Sequence, residues 1–518
     1  MQPTFRDAVS SGPCNATTAM KKRIAIVWFR RDLRLHDNEA LADALHHADE
    51  VLPVYVFDPR EWRGTLPHTG CPKIGSHRAK FVLESVANLR KNLRKRGADL
   101  IIRVGKPEEV IVELTEESKA SWVFCNRERM DEERRVQSAL EQNLWTIGRE
   151  IYYSRGKLLY YTADLPFPIT QTPDVFTQFR KETERITPVR EPLPTPVRIS
   201  YDASGLPDAG DLPTLSDFGI PEPPQDDRMA IQFEGGETAG LDRLAYYLFE
   251  SHAVSTYKET RNELIGSDYS TKFSPWLAYG CISPKKIYWE IKAYEEKNGA
   301  NKSTYWVIFE LLWRDFFRLM GKKHGNAIFH KGGTKGESRA WSKDQDKFQR
   351  WVDGTTGTPF IDANMREIAQ TGFMSNRGRQ NVASYLVKDL NIDWRMGAEY
   401  FESQLIDYDV TSNWCNWNYV AGVGSDPRED RYFNILSQAQ RYDGNGEYVK
   451  LWCPELSSLA TEMVHSPDEL SDQDQSRFGV KIGVDYPRPL VPTQRWKKKQ
   501  GGSPQNRGRS KRRSKRSY

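Results

Sequence analysis

From Arg23 onward, short apolar runs alternate with amphipathic stretches, and RIAIVWF, VLPVYVF, DLIIRV, SWVFC and REIYYS each read as a buried strand. Helix-patterned segments such as SHRAKFVLESVANLRKNLRKRG and KPEEVIVELTEESK lie between them. Strands alternating with helices predict a parallel, doubly wound, Rossmann-like sheet. No G-x-G-x-x-G follows the first strand, so this domain is not expected to hold a dinucleotide. The pattern then changes. Residues 188–224 contain nine of the 29 prolines and little apolar periodicity, which marks a connector. From about Gly240 a 3.6-residue period dominates, as in GLDRLAYYLFE, TYWVIFELLWRDFFRLM and RGRQNVASYLVKDL. The predicted organisation is a flexible N-terminus (1–21), an α/β domain (22–160), an interdomain connector (161–239), an all-α domain (240–494) and a disordered basic tail (495–518).

Bulk properties narrow the class. A chain of 518 residues exceeds one typical core and predicts two or three domains. Mean hydropathy of -0.69, 28% charged residues and the lack of a long apolar run argue against a membrane protein. The six cysteines form no C-x-x-C pair, which favours free thiols in a reducing compartment. His68, Cys71 and His77 offer no clear fourth ligand, so no metal site is expected. The net charge of +5 hides an asymmetry: residues 495–518 hold eleven Lys and Arg and no acid, leaving residues 1–494 at a net -6. That tail fits an import signal, a phosphate-binding arm or a solvated terminus, and nucleus, cytoplasm and organelle all stay open. The first twenty residues lack the apolar core of a secretory signal.

The densest chemistry lies in DYDVTSNWCNWNY, residues 407–419. Asp407 and Asp409 are costly to bury unpaired, and Arg377 and Arg379 in SNRGRQ are candidate partners. A buried organic cofactor accounts for so many polar groups among aromatics, and Trp341, Trp351 and Trp394 add indoles upstream. In the helix-patterned ELLWRDFFR, Glu310 has Trp313 and Arg314 three and four residues on. Its carboxyl either pairs with an Arg or floors a pocket for an uncharged heterocycle, with Trp313 as a stacking wall. Asn376 and Gln380 project to one side beside Arg377, suited to base edges or to a solvated helix N-terminus. The donors of YSTKFS suit a pyrophosphate, though most such loops are turns.

Five ordered motifs, VWFRRDLRLHDNEAL, YSTKFSPWLAYGCISP, ELLWRDFFR, FIDANMREIAQTGFMSNRGRQNVASYLVKDLNIDWR and the 407–419 stretch continuing to WCPEL, resemble the photolyase and cryptochrome family, most closely its cryptochrome-DASH branch. The resemblance spans roughly residues 22–456. It implies a light-driven lyase for cyclobutane pyrimidine dimers, with FAD in the helical domain and 5,10-methenyltetrahydrofolate as antenna in the first. The implied flavin contacts are Tyr257, Arg261, Ser270, Thr271, Lys272, Phe273 and Ser274, the Arg379–Asp407 pair, Asp409 at the pyrimidine edge and Asn413 near N5. Plant-type cryptochromes carry an Asp at that last position. Glu310, Trp313, Asn376, Arg377, Gln380 and Tyr419 face the lesion by resemblance, and Trp417, Trp394 and Trp341 match the electron-carrying indoles. Gln380 and Tyr419 stand where many duplex-repairing photolyases have Met and Trp, which implies UV-damaged single-stranded DNA as substrate. Arg431 matches a DNA-phosphate contact, with a surface salt bridge to Glu429 or Asp430 as the plain alternative. Glu133 matches a folate-binding acid, but the family's other folate contacts have no clear counterpart around Ile328 and Phe329. A monomer is expected, with further nucleic acid, RNA included, as a partner of the tail. The rival reading is a blue-light photoreceptor working through flavin photoreduction. Repair of the (6-4) lesion is disfavoured because SNRGRQ lacks the histidines that chemistry uses in the family.

Overall fold

Five parallel strands, β1 (Ile24–Phe29), β2 (Glu50–Phe57), β3 (Ile101–Val104), β4 (Trp122–Asn126) and β5 (Glu150–Ser154), form one sheet in the order β3-β2-β1-β4-β5. The computed structural model describes residues 22–202, 204, 207–337, 339–424 and 432–500. β1 is apolar throughout because both of its faces are covered. Ala25, Val27 and Phe29 join the core shared with the helical domain. Ile26 and Trp28 pack with Ile111, Leu114, Leu140 and Leu144 on the opposite face. One correction concerns β5, expected as a buried strand: it is a sheet edge, and Glu150 and Tyr152 are exposed.

The strand order reverses between β1 and β4, so the connections leaving their carboxyl ends diverge and open a crevice there. The Pro-rich connector does not hang free. Its backbone extends the α/β domain through Val51 N–H to Ser200 O (2.9 Å) and Ile102 N–H to Ala209 O (2.8 Å). It also carries the helix Phe176–Ile186, and Phe218 packs on Trp62 with centroids 4.5 Å apart.

Four helices of the second domain position the site: α1 (Lys302–His324), α2 (Asn376–Ser384), α3 (Trp394–Gln404) and α4 (Val410–Ala421). A capping box of Asn301 and Thr304 starts α1. Asp315 of α1 is fully buried and accepts the N–H groups of Leu159 (3.1 Å) and Tyr160 (3.0 Å), which ties this helix to the end of the α/β domain. Burial pushes that carboxyl up to about 6, against the pull of those two N–H groups.

Residues 495–500, expected as part of a disordered tail, are helical instead. Helix Gln494–Gln500 seats Trp496, 2% exposed, beside Tyr385, because one indole supplies the apolar area the charged stretch otherwise lacks. Residues 501–518, the N-terminal 1–21 and Arg431 lie outside the described residues. No helix among the described residues is long and apolar enough to cross a membrane.

Candidate functional site

The YSTKFS loop is clamped from behind by Arg243, a residue the sequence reading missed. Its guanidinium reaches Asp268 (2.9 Å) and donates to the carbonyls of Ser267 (3.0 Å), Ser270 (3.3 Å) and Thr271 (3.2 Å). So held, Lys272 adopts a left-handed φ of 58°, an uncommon state for a residue with a β-carbon. Its buried ammonium lies 3.3 Å from the Tyr269 ring centroid with no hydrogen-bond partner, and burial lowers it to about 7. Phe273 is buried behind it, while Ser274 is exposed at the start of helix Ser274–Ala278.

Phe373 joins this loop to the ion pair of the DYD segment, since Lys272 Nζ and Arg379 Cζ lie 5.0 and 5.5 Å from its ring. Arg379 Nη2 meets Asp407 Oδ2 at 2.9 Å, and Asp407 Oδ1 is buried without a partner. Asp409 is placed differently from expectation. It caps α4, accepting Ser412 N–H (2.9 Å) and Thr411 Oγ1–H (2.8 Å), and its other oxygen pairs with Arg318 of α1 rather than with Arg377 or Arg379. Burial opposes ionisation of that carboxyl, yet Arg318 and Arg314 hold it well below the usual range. Asn413 is buried one turn on and donates to Ala398 O (2.9 Å), which fixes its amide.

Glu310 is not an isolated acid at a pocket floor: it forms an ion pair with Arg261. Desolvation nevertheless pushes it above the ordinary carboxyl range, against the opposing pull of Arg261. Arg261 lies 5.9 Å from the Tyr257 ring and 5.8 Å from Trp306, an indole one helical turn before Glu310 that went unnoticed in the sequence. Arg377 donates to Gln380 Oε1 (2.9 Å) and Asn262 Oδ1 (2.8 Å) and lies 4.5 Å from the Tyr442 ring. Asn376 stands exposed at the start of α2, whose cap is Ser375. Trp313 is stacked on Phe176 at 3.6 Å with an 8° interplanar angle, so one of its faces is already covered from the connector. Tyr419 meets it edge-on at 6.0 Å.

The indoles lie on adjoining elements. Trp417 of α4 packs against α3, where a β-carbon on Gly397 would stand 2.3 Å from its Cη2. Trp394 opens α3, fully buried, with Nε1 donating to Lys331 O (3.1 Å). A bridge between Ser342 and Ile392 brings the segment carrying Trp341 alongside it. Trp351 is core, 6.4 Å from Trp417.

A cavity of about 890 Å³ opens at the β1/β4 crevice, between the sheet and the helical domain. Glu133, Phe329, Tyr408 and Trp414 line it, whereas Ile328 is buried in the core. His68, on its rim, is occupied by Glu399, with Nδ1 at 2.5 Å.

Residues 25–197 match the family model described as DNA photolyase, and residues 306–501 match that of the FAD binding domain of DNA photolyase. A cryptochrome DASH from Gloeobacter violaceus is 49% identical across 91% of this chain and 94% of its own, and one from Xenopus laevis is 49% identical across 92% and 91%. The chain belongs to the photolyase and cryptochrome family. The crystal structure of a Synechocystis sp. PCC6803 cryptochrome superimposes with a TM-score of 0.89 at 46% identity, covering 93% of this chain and 99% of that one. A bacterial class III photolyase from Agrobacterium tumefaciens reaches 0.81 at 30% identity, covering 94% and 98%. The helical domain is therefore the FAD-binding domain of a photolyase-family protein. Its own unsatisfied groups fit such a guest: the Lys272 ammonium and Asp407 Oδ1 are buried polar atoms with spare bonding capacity.

Proposed function

We propose that this protein repairs cyclobutane pyrimidine dimers in UV-damaged single-stranded DNA by light-driven electron transfer. The observation that carries the reading is the ion pair of Glu310 on α1 with Arg261, together with the Arg377–Gln380 contact on α2 and the bond from Arg377 to Asn262, the residue after Arg261. The chemistry FAD would supply, when bound, reduced and illuminated, is the single electron needed to open the cyclobutane ring. Lys272, Ser270 and Thr271 would hold its phosphates and ribityl chain, and Arg379, Asp407 and Asn413 would orient its ring. Glu310 hydrogen-bonds the pyrimidine pair, Trp313 and Tyr419 wall it, and Asn376, Arg377 and Gln380 address its edges. Glu133 and the cavity around it would hold a 5,10-methenyltetrahydrofolate antenna; the cavity's size and its mix of aromatic rings and carboxylates suit a pterin.

Gln380 and Tyr419 make the lesion pocket more polar and less tightly stacked than a Met and Trp pair. Extraction of a dimer from a duplex then goes uncompensated, whereas a single strand has little stacking to lose. A receptor acting through flavin photoreduction alone needs the tryptophans and no lesion group. Glu310→Ala separates the two readings. Repair of a dimer-containing single strand should fall while flavin content and photoreduction are retained; undiminished repair contradicts the assignment of Glu310.

A further inference from the structure

Trp394 touches a second aromatic path that leads away from Trp341. Its ring lies 5.7 Å from that of Trp414, edge to face. Trp414 Nε1 in turn donates to the Tyr408 hydroxyl (3.3 Å), and Tyr408 donates its own proton to Glu402 Oε2 at 2.6 Å. Tyr408, Trp414 and Glu402 all line the large cavity between the domains. A phenol, an indole and a carboxylate are thus hydrogen-bonded in series, each of them buried.

The chemistry of this series is that of a proton-coupled oxidation site. A phenol gives up an electron readily only if its proton leaves at the same time, and a carboxylate within hydrogen-bond reach is the acceptor required. The surroundings enforce that coupling. Arg78 and Arg31 lie 4.8 and 5.8 Å from the Tyr408 ring, so a positive charge kept on the ring would face two guanidinium groups. Burial raises both groups: the phenol stays protonated at rest, and the carboxyl is a stronger base than an exposed one.

We propose that Trp414 and Tyr408 form a branch of the electron path, with Tyr408 as its terminal donor and Glu402 as the base that takes its proton. The inference rests on the reading of Trp394 as an electron carrier. Once Trp394 has been oxidised, one electron passes from Trp414 to Trp394 and one from Tyr408 to Trp414, restoring both indoles. The phenolic proton moves to Glu402, leaving a neutral tyrosyl radical. In protein whose cavity holds no folate, a soluble thiolate reaching it then gives one electron to the tyrosyl radical and leaves as a thiyl radical, while Glu402 returns the proton.

Flash photolysis with transient absorption and electron paramagnetic resonance, on flavin-loaded full-length protein, tests this directly. The wild type should show a tryptophan radical converting to a tyrosyl radical. Tyr408→Phe and Trp414→Phe should abolish the tyrosyl signal and prolong the tryptophan signal, with flavin content as the check on folding. Glu402→Gln keeps the shape and removes the base, so it should also suppress the tyrosyl radical. A tyrosyl radical unchanged in these variants, or none in the wild type while the tryptophan radical depends on Trp394, overturns the branch and leaves the Trp394 reading intact. Flavin photoreduction that is indifferent to Trp394→Phe overturns both.

Discussion

Gly397 lies against Trp417 so closely that a β-carbon at position 397 would stand 2.3 Å from the indole Cη2 and 2.6 Å from Leu386 Cδ2. The missing side chain is what lets α4 settle on α3 and puts Trp417 next to the helix that begins with Trp394. Gly397→Ala should therefore cost about 1–3 kcal/mol by overpacking. Denaturant unfolding reads that cost, and the displaced indole should slow light-driven flavin reduction in the same variant.

Trp394→Phe removes the indole common to the main path and the proposed branch while filling most of its volume. Light-driven flavin reduction should slow sharply. Repair should remain near wild type when the flavin is reduced chemically beforehand, because the indoles only restore the reduced state. Unchanged photoreduction removes Trp394 from the path.

Arg318→Met strands the buried Asp409 carboxylate without its guanidinium. The loss of one partner of a buried pair costs about 3–5 kcal/mol, measurable by denaturant unfolding near neutral pH. The pH dependence has a definite sign. Asp409 is held below the ordinary value of 3.8, so its contribution is present above that value and is lost as pH falls through the folded-state value. Without Arg318 the carboxyl takes up its proton earlier, and acid unfolding should begin at a higher pH.

Glu367 runs the other way. It is buried, accepts the Tyr448 hydroxyl at 2.7 Å, and burial raises it from 4.5 to about 7. Between those values the folded protein binds the proton that the unfolded chain has released, so stability should fall as pH rises through that window, by on the order of 3 kcal/mol. Glu367→Gln should flatten the profile between pH 4.5 and 7. A slope unchanged in that variant assigns it to another group.

The apolar runs were sufficient to place the five strands, because two-sided burial leaves continuous hydrophobic stretches that a polar loop cannot imitate. β5 was read as buried because its tyrosines are apolar in composition, although an edge strand exposes alternate residues. In the site, local spacing made Arg377 beside Gln380 legible, and the two are hydrogen-bonded; Glu310 and Trp313 share a helix but take different partners. Pairings across the chain were not. Nothing in the sequence says that Asp409 meets Arg318, 91 residues away, instead of the nearer arginines, or that Glu310 meets Arg261, 49 away. Trp306 and Arg318 were within reach, since both lie on the helix-patterned run that already contained Glu310. Tyr408 and Trp414 sit inside the densest motif and read only as aromatic mass, because a hydrogen-bonded series depends on which way side chains point.

The measurement that bears most directly on the central claim is light-dependent restoration of a single thymine dimer by prereduced protein, in matched single-stranded and duplex oligonucleotides with dark controls. The account predicts repair of the single strand and little repair of the duplex. No repair of either, by protein whose FAD is bound and photoreducible, contradicts it and leaves a photoreceptor in its place.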